Sequence, residues 1–405
     1  MPEREFDVVL AGATGAAGRR AAAHLARRGA DTRVALVGRS PDRLAALTEE
    51  LGVDWPVLQA DALDARALEA LAERTRVVAT AVGPFALLGM PLVEACADAG
   101  THYCDLTGEI LFMRASIDRV QERAAASGAR IVHACGFDSV PSDLAVHLLA
   151  RLAAEQDAGT PGRTRALVRG RGGIGGGTLD TARAQVDAVR SDPDAARVLA
   201  DPDALTPAGA DGRAEADRTR AFRDDLFGGW TAPWPLGPAN MRVVRRSAAL
   251  AGRDDGFRYD EGVPLGRSAL SAVAAAGVAA GGRALIAGLG SPLVRPLLDG
   301  LLPSAGDVPA QRVLDAGWFR VDARTITGTG ARLSARIAAS LDPGYGATGA
   351  LLAESALCLA LDPLDSAPGV TTPSAAMGDR LVDRLRRAGF TAEARRHRAP
   401  ARLGR

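Results

Sequence analysis

Phe6 to Arg20 reads F-D-V-V-L-A-G-A-T-G-A-A-G-R-R: a short apolar run followed by evenly spaced glycines. Val8, Val9, Leu10 and Ala11 are too few for a helix and have the character of a strand buried on both faces. Gly12, Gly15 and Gly18 follow at three-residue spacing, and the alanine-rich segment Arg19 to Arg28 favours a helix ended by Gly29. The order is strand, glycine turn, helix. A turn built from Gly12, Ala13, Thr14, Gly15 and Gly18 lets backbone N–H groups and the helix N-terminus approach a pyrophosphate, and its last glycine lets helix and strand pack closely.

Downstream residues give that turn its context. Arg33 to Val37 is a second apolar strand, ending in Gly38, Arg39 and Ser40 where an NAD-selective site carries an acidic residue for the ribose. Arg39 favours a 2′-phosphate, so the expected cofactor is NADP(H), held by Arg39 and Ser40 with Arg43 as helper; the alternative is a solvated loop arginine. The third strand, Trp55 to Ala60, closes on Asp61, which either lies near the adenine or caps the helix beginning near Asp64. The fourth, Thr75 to Val82, leads into Gly83, Pro84 and Phe85. Open parallel sheets bind ligands at the carboxyl ends of their strands, so this turn is expected at the nicotinamide half. Phe85 lies against the dinucleotide or plugs the loop. Thr101 to Leu106 and Ala129 to Cys135 supply a fifth and a sixth strand, with Ser142 or Asp143 capping the helix that leaves them.

Six strands alternating with helices predict the α/β class, with a Rossmann-type doubly wound parallel sheet over residues 1–145. Residues 146–343 lose that alternation and are expected to form a second α+β domain with a mixed, mostly antiparallel sheet, to which Gly317–Val321 and Ala331–Ser340 contribute strands. Residues 344–405 read as C-terminal helices returning to the nucleotide domain. Residues 169–178, R-G-R-G-G-I-G-G-G-T, are a second glycine-rich loop, structural or a second phosphate cradle. Ser268 to Gly290 is strongly apolar, but Arg283 interrupts it and alanine and glycine dominate, a poor composition for a bilayer span. It reads as a buried or surface-seeking helix pair.

All 49 basic residues are arginine, because the chain has no lysine. Arginine stays protonated and supplies neither an ordinary proton donor nor a Schiff-base amine, which excludes the tyrosine–lysine pair of short-chain dehydrogenases. Cys96, Cys104, Cys135 and Cys358 have no paired spacing, so no metal site or disulfide is expected. A net charge of +1 gives no general attraction to nucleic acid. The N-terminus runs directly into the first strand without a signal pattern, and the expected location is the cytoplasm.

Several linked motifs resemble the saccharopine dehydrogenase-like oxidoreductases, and within them the branch of actinobacterial trans-acting enoyl reductases. They are G-A-T-G-A-A-G, V-G-R-S, V-G-P-F, T-H-Y-C-D-L-T-G-E, H-A-C-G-F-D-S-V-P-S-D, N-M-R-V-V-R-R-S-A-A-L and D-P-G-Y-G-A-T-G-A-L-L-A-E-S-A-L-C-L-A. The resemblance implies an NADPH-binding Rossmann domain, a second domain forming the substrate side, and a cleft between them. It also implies reduction of a carbon–carbon double bond in an acyl or polyketide chain, as a small molecule or on a carrier protein. Other relatives act on C–N bonds, and some have no known activity.

Enoyl reduction needs a hydride, stabilisation of an enolate oxygen and a proton for the α-carbon. The catalytic candidates are Tyr103, His133, Asp138 and Ser139, at the exits of the fifth and sixth strands beside Asp105, Thr107 and Glu109. For Tyr103 and His133 the alternative is a side chain satisfied within the sheet, and for Ser139 a helix cap. Arg242, Arg245 and Arg246 either form a solvated strand face or meet a phosphopantetheine phosphate or an acidic carrier. Three other readings stay open: an imine reductase, a non-catalytic NADP(H)-binding protein, and a weak membrane-surface contact through 268–302. A homo-oligomer is compatible with all of them.

Overall fold

The computed structural model describes residues 4–29, 31–172, 176–207, 215–253, 256–303 and 307–397. The first part alternates strand and helix: β1 (Phe6–Ala11), α1 (Ala16–Arg28), β2 (Val34–Gly38), α2 (Pro41–Leu51), β3 (Val57–Gln59), α3 (Ala65–Arg74), β4 (Thr75–Thr80), the single turn α4 (Phe85–Leu88), α5 (Met90–Ala99), β5 (His102–Asp105), α6 (Ile110–Ser127), β6 (Arg130–Val132) and α7 (Val140–Glu155). There follow β7 (Pro161–Arg171), α8 (Gly176–Ser191), α9 (Pro193–Ala200), β8 (Phe222–Asp224), β9 (Gly229–Pro233), α10 (Gly237–Leu250), β10 (Arg258–Gly266), α11 (Ala269–Leu289), α12 (Arg295–Leu301), α13 (Gln311–Asp315), β11 (Trp318–Thr327) and β12 (Arg332–Ala339). A π-helical turn at Pro343–Ala347, α14 (Thr348–Leu361), β13 (Gly369–Thr371), α15 (Pro373–Arg387) and β14 (Thr391–Arg396) complete the described chain.

The first sheet is parallel, in the order β3-β2-β1-β4-β5-β6-β13. Its strand order reverses between β1 and β4, which opens a crevice at their carboxyl ends. Val8, Val9 and Leu10 are fully buried, as the unbroken apolar run requires. The second sheet has the order β14-β12-β11-β7-β10-β9-β8 and is antiparallel except where β10 pairs with β7. The α/β class with a second mixed sheet is the architecture the sequence predicts. Along β11 burial alternates, so Phe319, Val321 and Ala323 point inward toward α7.

The two sheets are joined by shared helices. α7 packs against β11, β12 and β14, and α14 against α1, β4 and β5. Helices α1 and α14 touch closely: a Cβ added at Gly349 would lie 2.6 Å from Cβ of Arg20. Buried Glu354 of α14 accepts from His24 Nε2 at 2.8 Å and Arg28 Nε at 3.3 Å. The C-terminal region is not purely helical, since β13 extends the first sheet and β14 the second.

Other local expectations change. The sixth strand stops at Val132 because Ala134 adopts φ +61°, which takes His133 to Cys135 out of the ladder. Met241 to Leu250 belongs to a helix, and Arg242, Arg245 and Arg246 are buried in it, donating to main-chain carbonyls of Leu199, Asp201, Pro202, Leu205, Pro238, Tyr259 and Val370. They are therefore neither a solvated strand face nor available to a carrier phosphate. Ser268 to Gly290 is one helix rather than a pair. Ser139, not Ser142 or Asp143, sits at the N-cap of α7; Asp143 lies in the first turn and accepts from the Ser374 N–H at 2.7 Å. The core of the second glycine-rich loop, 173–175, lies outside the described residues. All four cysteines are buried free thiols.

Candidate functional site

The glycine turn is shaped by close approach. Gly12 has φ +78°, and its carbonyl accepts from the Gly15 N–H at 3.0 Å. A Cβ on Gly18 would lie 2.0 Å from that same carbonyl oxygen, so only glycine allows α1 to start where it does. Gly15 is the N-cap of α1; no side chain caps the helix and its first turn has no acidic residue. The helix start is thus open to a pyrophosphate at the positive end of the helix dipole, with Ala13 and Thr14 in the intervening loop.

At the end of β2, Arg39 is exposed and has no hydrogen-bond or ion-pair partner among the described residues. Ser40 is the N-cap of α2 but its hydroxyl does not bond the helix. Both groups are free for a phosphate. Asp61 is exposed and accepts from the Leu63 N–H at 2.9 Å, while Asp64 caps α3 through the Ala67 N–H at 3.1 Å. The capping role therefore belongs to Asp64.

At the exit of β4, Gly83 is exposed and joined to Pro84 by a cis peptide bond. The Phe85 ring turns inward against Phe112, with centroids 5.9 Å apart, and so plugs the loop rather than lying against a dinucleotide. Buried Glu109 accepts from the N–H groups of Phe85 at 2.9 Å and Ala86 at 2.7 Å. Burial pushes the Glu109 carboxyl above its usual range, and those two N–H groups pull it back. This clamp on the turn was not foreseen, although Glu109 stands in the T-G-E motif.

Tyr103 and His133 converge, but on Asp105. The Tyr103 hydroxyl donates to Asp105 Oδ2 at 3.0 Å, and His133 Nδ1 lies 2.7 Å from the same oxygen. His133 Nε2 is 2.8 Å from Ser116 Oγ, and Asp105 Oδ1 accepts from the N–H groups of Thr107 and Ala134. Tyr103 and Asp105 are wholly buried and His133 nearly so. Burial, then the Asp105 charge, raises the tyrosine pKa well above its ordinary value. Every side-chain polar atom of Tyr103 and His133 is engaged within this buried network, which fixes the strand exits and leaves neither as an exposed donor.

Asp138 and Ser139 differ. Asp138 is half-buried at the exit of β6, with no hydrogen-bond partner among the described residues, and burial pushes its carboxyl up to about 6. Gly108 faces it across the turn: a Cβ there would sit 3.7 Å from Asp138 Oδ2. The Ser139 hydroxyl donates to Asn240 Oδ1 at 3.1 Å, Asn240 Nδ2 donates to Glu261 Oε2 at 3.0 Å, and the Tyr259 hydroxyl donates to Glu261 Oε1 at 2.7 Å. Burial pushes Glu261 up to about 7. This chain ties the start of α7 to α10 and β10.

The D-P-G-Y-G-A-T segment closes the same region. Asp342 accepts from the Tyr345 and Gly346 N–H groups, and Thr348 Oγ1 accepts from the Phe137 N–H at 3.3 Å. Two motifs about two hundred residues apart thus meet beside Asp138. Among the described residues no group of three or more His, Cys, Asp or Glu side chains is placed to hold a metal ion.

Comparison with known proteins agrees with this geometry. Residues 8–132 match the saccharopine dehydrogenase NADP-binding domain family. Across the whole chain, saccharopine dehydrogenase (L-Glu forming) of Saccharomyces cerevisiae shares the fold, with TM-score 0.53 and 11% identity over 96% of this chain and 99% of that one. The chain is 44% identical to a trans-acting enoyl reductase of Mycobacterium ulcerans, over 97% of its own length and 99% of that protein's. It is 46% identical to a Mycobacterium tuberculosis protein provisionally given the same name, over 97% and 98% of the two lengths. Its nucleotide domain takes NADP(H), and the chain belongs to the family of the trans-acting enoyl reductases, oxidoreductases built on a saccharopine dehydrogenase NADP-binding domain.

Proposed function

We propose that the protein is an NADPH-dependent enoyl reductase of the cytoplasm, saturating the double bond conjugated to the carbonyl of an acyl or polyketide chain carried by a partner synthase. The names of its relatives point to that chemistry, and the observation that carries it to residues is the unpartnered Asp138 carboxyl, raised to about 6 at the carboxyl edge of the nucleotide sheet. NADPH, when bound, supplies a hydride. Gly12, Ala13, Thr14, Gly15 and Gly18 hold its pyrophosphate by their backbone and the α1 N-terminus, Arg39 and Ser40 its 2′-phosphate, and the Gly83–Pro84 turn borders the nicotinamide half. Asp61 follows the exit of β3, where it would meet the adenine.

Asp138 gives the proton to the α-carbon. A carboxyl titrating near 6 is still partly protonated at neutral pH, and its conjugate base is basic enough to be refilled from water. Ser139 keeps its hydroxyl on Asn240 and so holds the turn carrying Asp138 in place. The lysine-free sequence does not fit the lysine-assisted C–N chemistry expected of saccharopine dehydrogenases proper.

The test is consumption of NADPH with an α,β-unsaturated pantetheine thioester and, separately, with a cyclic imine. Turnover of the thioester alone is expected; turnover of the imine alone, or of neither, overturns the reading. Arg39→Ala should weaken NADPH about 10- to 100-fold through loss of charge-assisted bonds, leaving NADH binding unchanged. Arg39 has no partner among the described residues to lose, so stability should not move.

A further inference from the structure

Among the described residues two helices are long and apolar enough to cross a membrane, and they are treated oppositely by the fold. One, Pro343–Leu361, is core. The other, α11, lies on the surface, with only Ala275, Ala279, Gly288 and Leu289 buried along its length. It, α12 and the turn between them display Leu270, Val273, Ile286, Leu293, Leu297 and Leu301, of which Leu270 is 81% and Leu293 91% exposed. Single exposed leucines are ordinary; a run of this extent marks an interaction surface.

Charge says what covers it. The chain has 48 acidic residues, yet none falls between Glu261 and Asp299. Around the apolar helices, Arg190, Arg267 and Arg283 are exposed, and among the described residues their hydrogen bonds go to the main-chain carbonyls of Gly290, Phe227 and Thr219 respectively and not to a carboxylate. Arg183 and Arg295 are paired, with Asp180, Asp187 and Asp299. The surface is therefore apolar in the middle and positive at its rim. A second copy of the chain docked by a two-fold axis would set that arginine-rich rim against itself. An anionic lipid surface complements both parts: headgroups meet the arginines while the leucines enter the acyl boundary.

We propose that α11 and α12 form an interfacial docking element for anionic membrane. The element lies on the bilayer rather than across it. α11 packs on β9, β10 and α8, and the Arg283 bond to Thr219 fixes its middle to the protein, so a span would have to strip the helix from its own domain. The inference is independent of the reaction catalysed at the cleft.

Co-sedimentation of the full chain with phosphatidylglycerol vesicles, neutral phosphatidylcholine vesicles and no lipid tests it. Binding to the anionic vesicles is expected to exceed that to neutral ones by about tenfold or more and to weaken with salt. L293D with L297D should remove it while far-UV circular dichroism and NADPH binding stay unchanged, since both leucines are exposed. Three results overturn the proposal: no pelleting with anionic vesicles, pelleting that is equal on neutral ones or survives the substitutions, and a lipid-free dimer that the substitutions abolish.

Discussion

Replacing Glu261 by glutamine asks whether the polar link between the two sheets is held in its neutral form. The carboxyl is 4% exposed and accepts from Tyr259 and Asn240 at 2.7 and 3.0 Å. Burial dominates and lifts it from 4.5 to about 7, with bonds from Ser142, Tyr259 and Asn240 acting in the opposite direction. In the unfolded chain the group loses its proton near 4.5, while in the folded protein it keeps it until about 7. Its contribution is fully present below 4.5 and is lost as pH rises to about 7, at about 1.4 kcal/mol per pH unit, roughly 3 kcal/mol in all. Glutamine cannot titrate, and its amide still accepts one bond while the Tyr259 hydroxyl turns to receive another. Urea unfolding of both proteins at about pH 5 and pH 8 isolates the effect, because every other titrating group cancels in the double difference. E261Q should gain about 2–3 kcal/mol on the parent between the two conditions. The same stability difference at both pH values would refute the argument.

Asp138→Asn should lower kcat by about 100-fold or more with NADPH affinity unchanged, and parent activity should decline as pH rises past about 6, where the acid is spent; a flat profile in both proteins rules out the assignment. G18A places a methyl carbon 2.0 Å from the Gly12 carbonyl, so the turn must open; NADPH titration should show binding weakened roughly 10- to 100-fold with the second sheet intact. Glu354 is raised by burial but held below its usual range by His24 and Arg28, so its contribution is present above 4.5 and lost as pH falls through the lowered value. E354Q should cost about 2 kcal/mol at neutral pH and progressively less toward acid, measured by thermal melting.

The nucleotide half was legible because its signals are local. A buried strand, a three-glycine turn and an Arg39 without an acidic neighbour lie within consecutive residues, and steric demand at Gly18 writes itself directly into residue choice. The arginines of α10 were not legible in that way. R-V-V-R-R reads as an exposed polar pattern, and what buries it is a set of carbonyls around residues 199–205 that no periodicity in the helix announces. Tyr103 and His133 misled for a related reason. Polar residues at a strand exit look like a catalytic cluster, whereas the partner that consumes them, Asp105, is identified only once β5 and β6 are placed side by side. Among the described residues, Asp138 is the member of that group whose carboxylate meets no donor. Asn240 stood in a quoted motif, but its pairing with Glu261 crosses from helix to strand. β13, three residues long, is too short to carry an alternation signal.

The return of the chain to both sheets governs how the protein can be assembled. A ribosome that has reached residue 340 has made the whole glycine turn, Arg39 and Asp138, yet β6 still presents an unpaired edge and α1 lacks the helix that buries Ala21 and His24. Residues 348–371 supply both, and 391–396 then pair with β12 to finish the other sheet. The nucleotide unit is consequently not a transplantable cassette: excised at residue 145, it leaves behind the partners of its own β6 edge and α1 face.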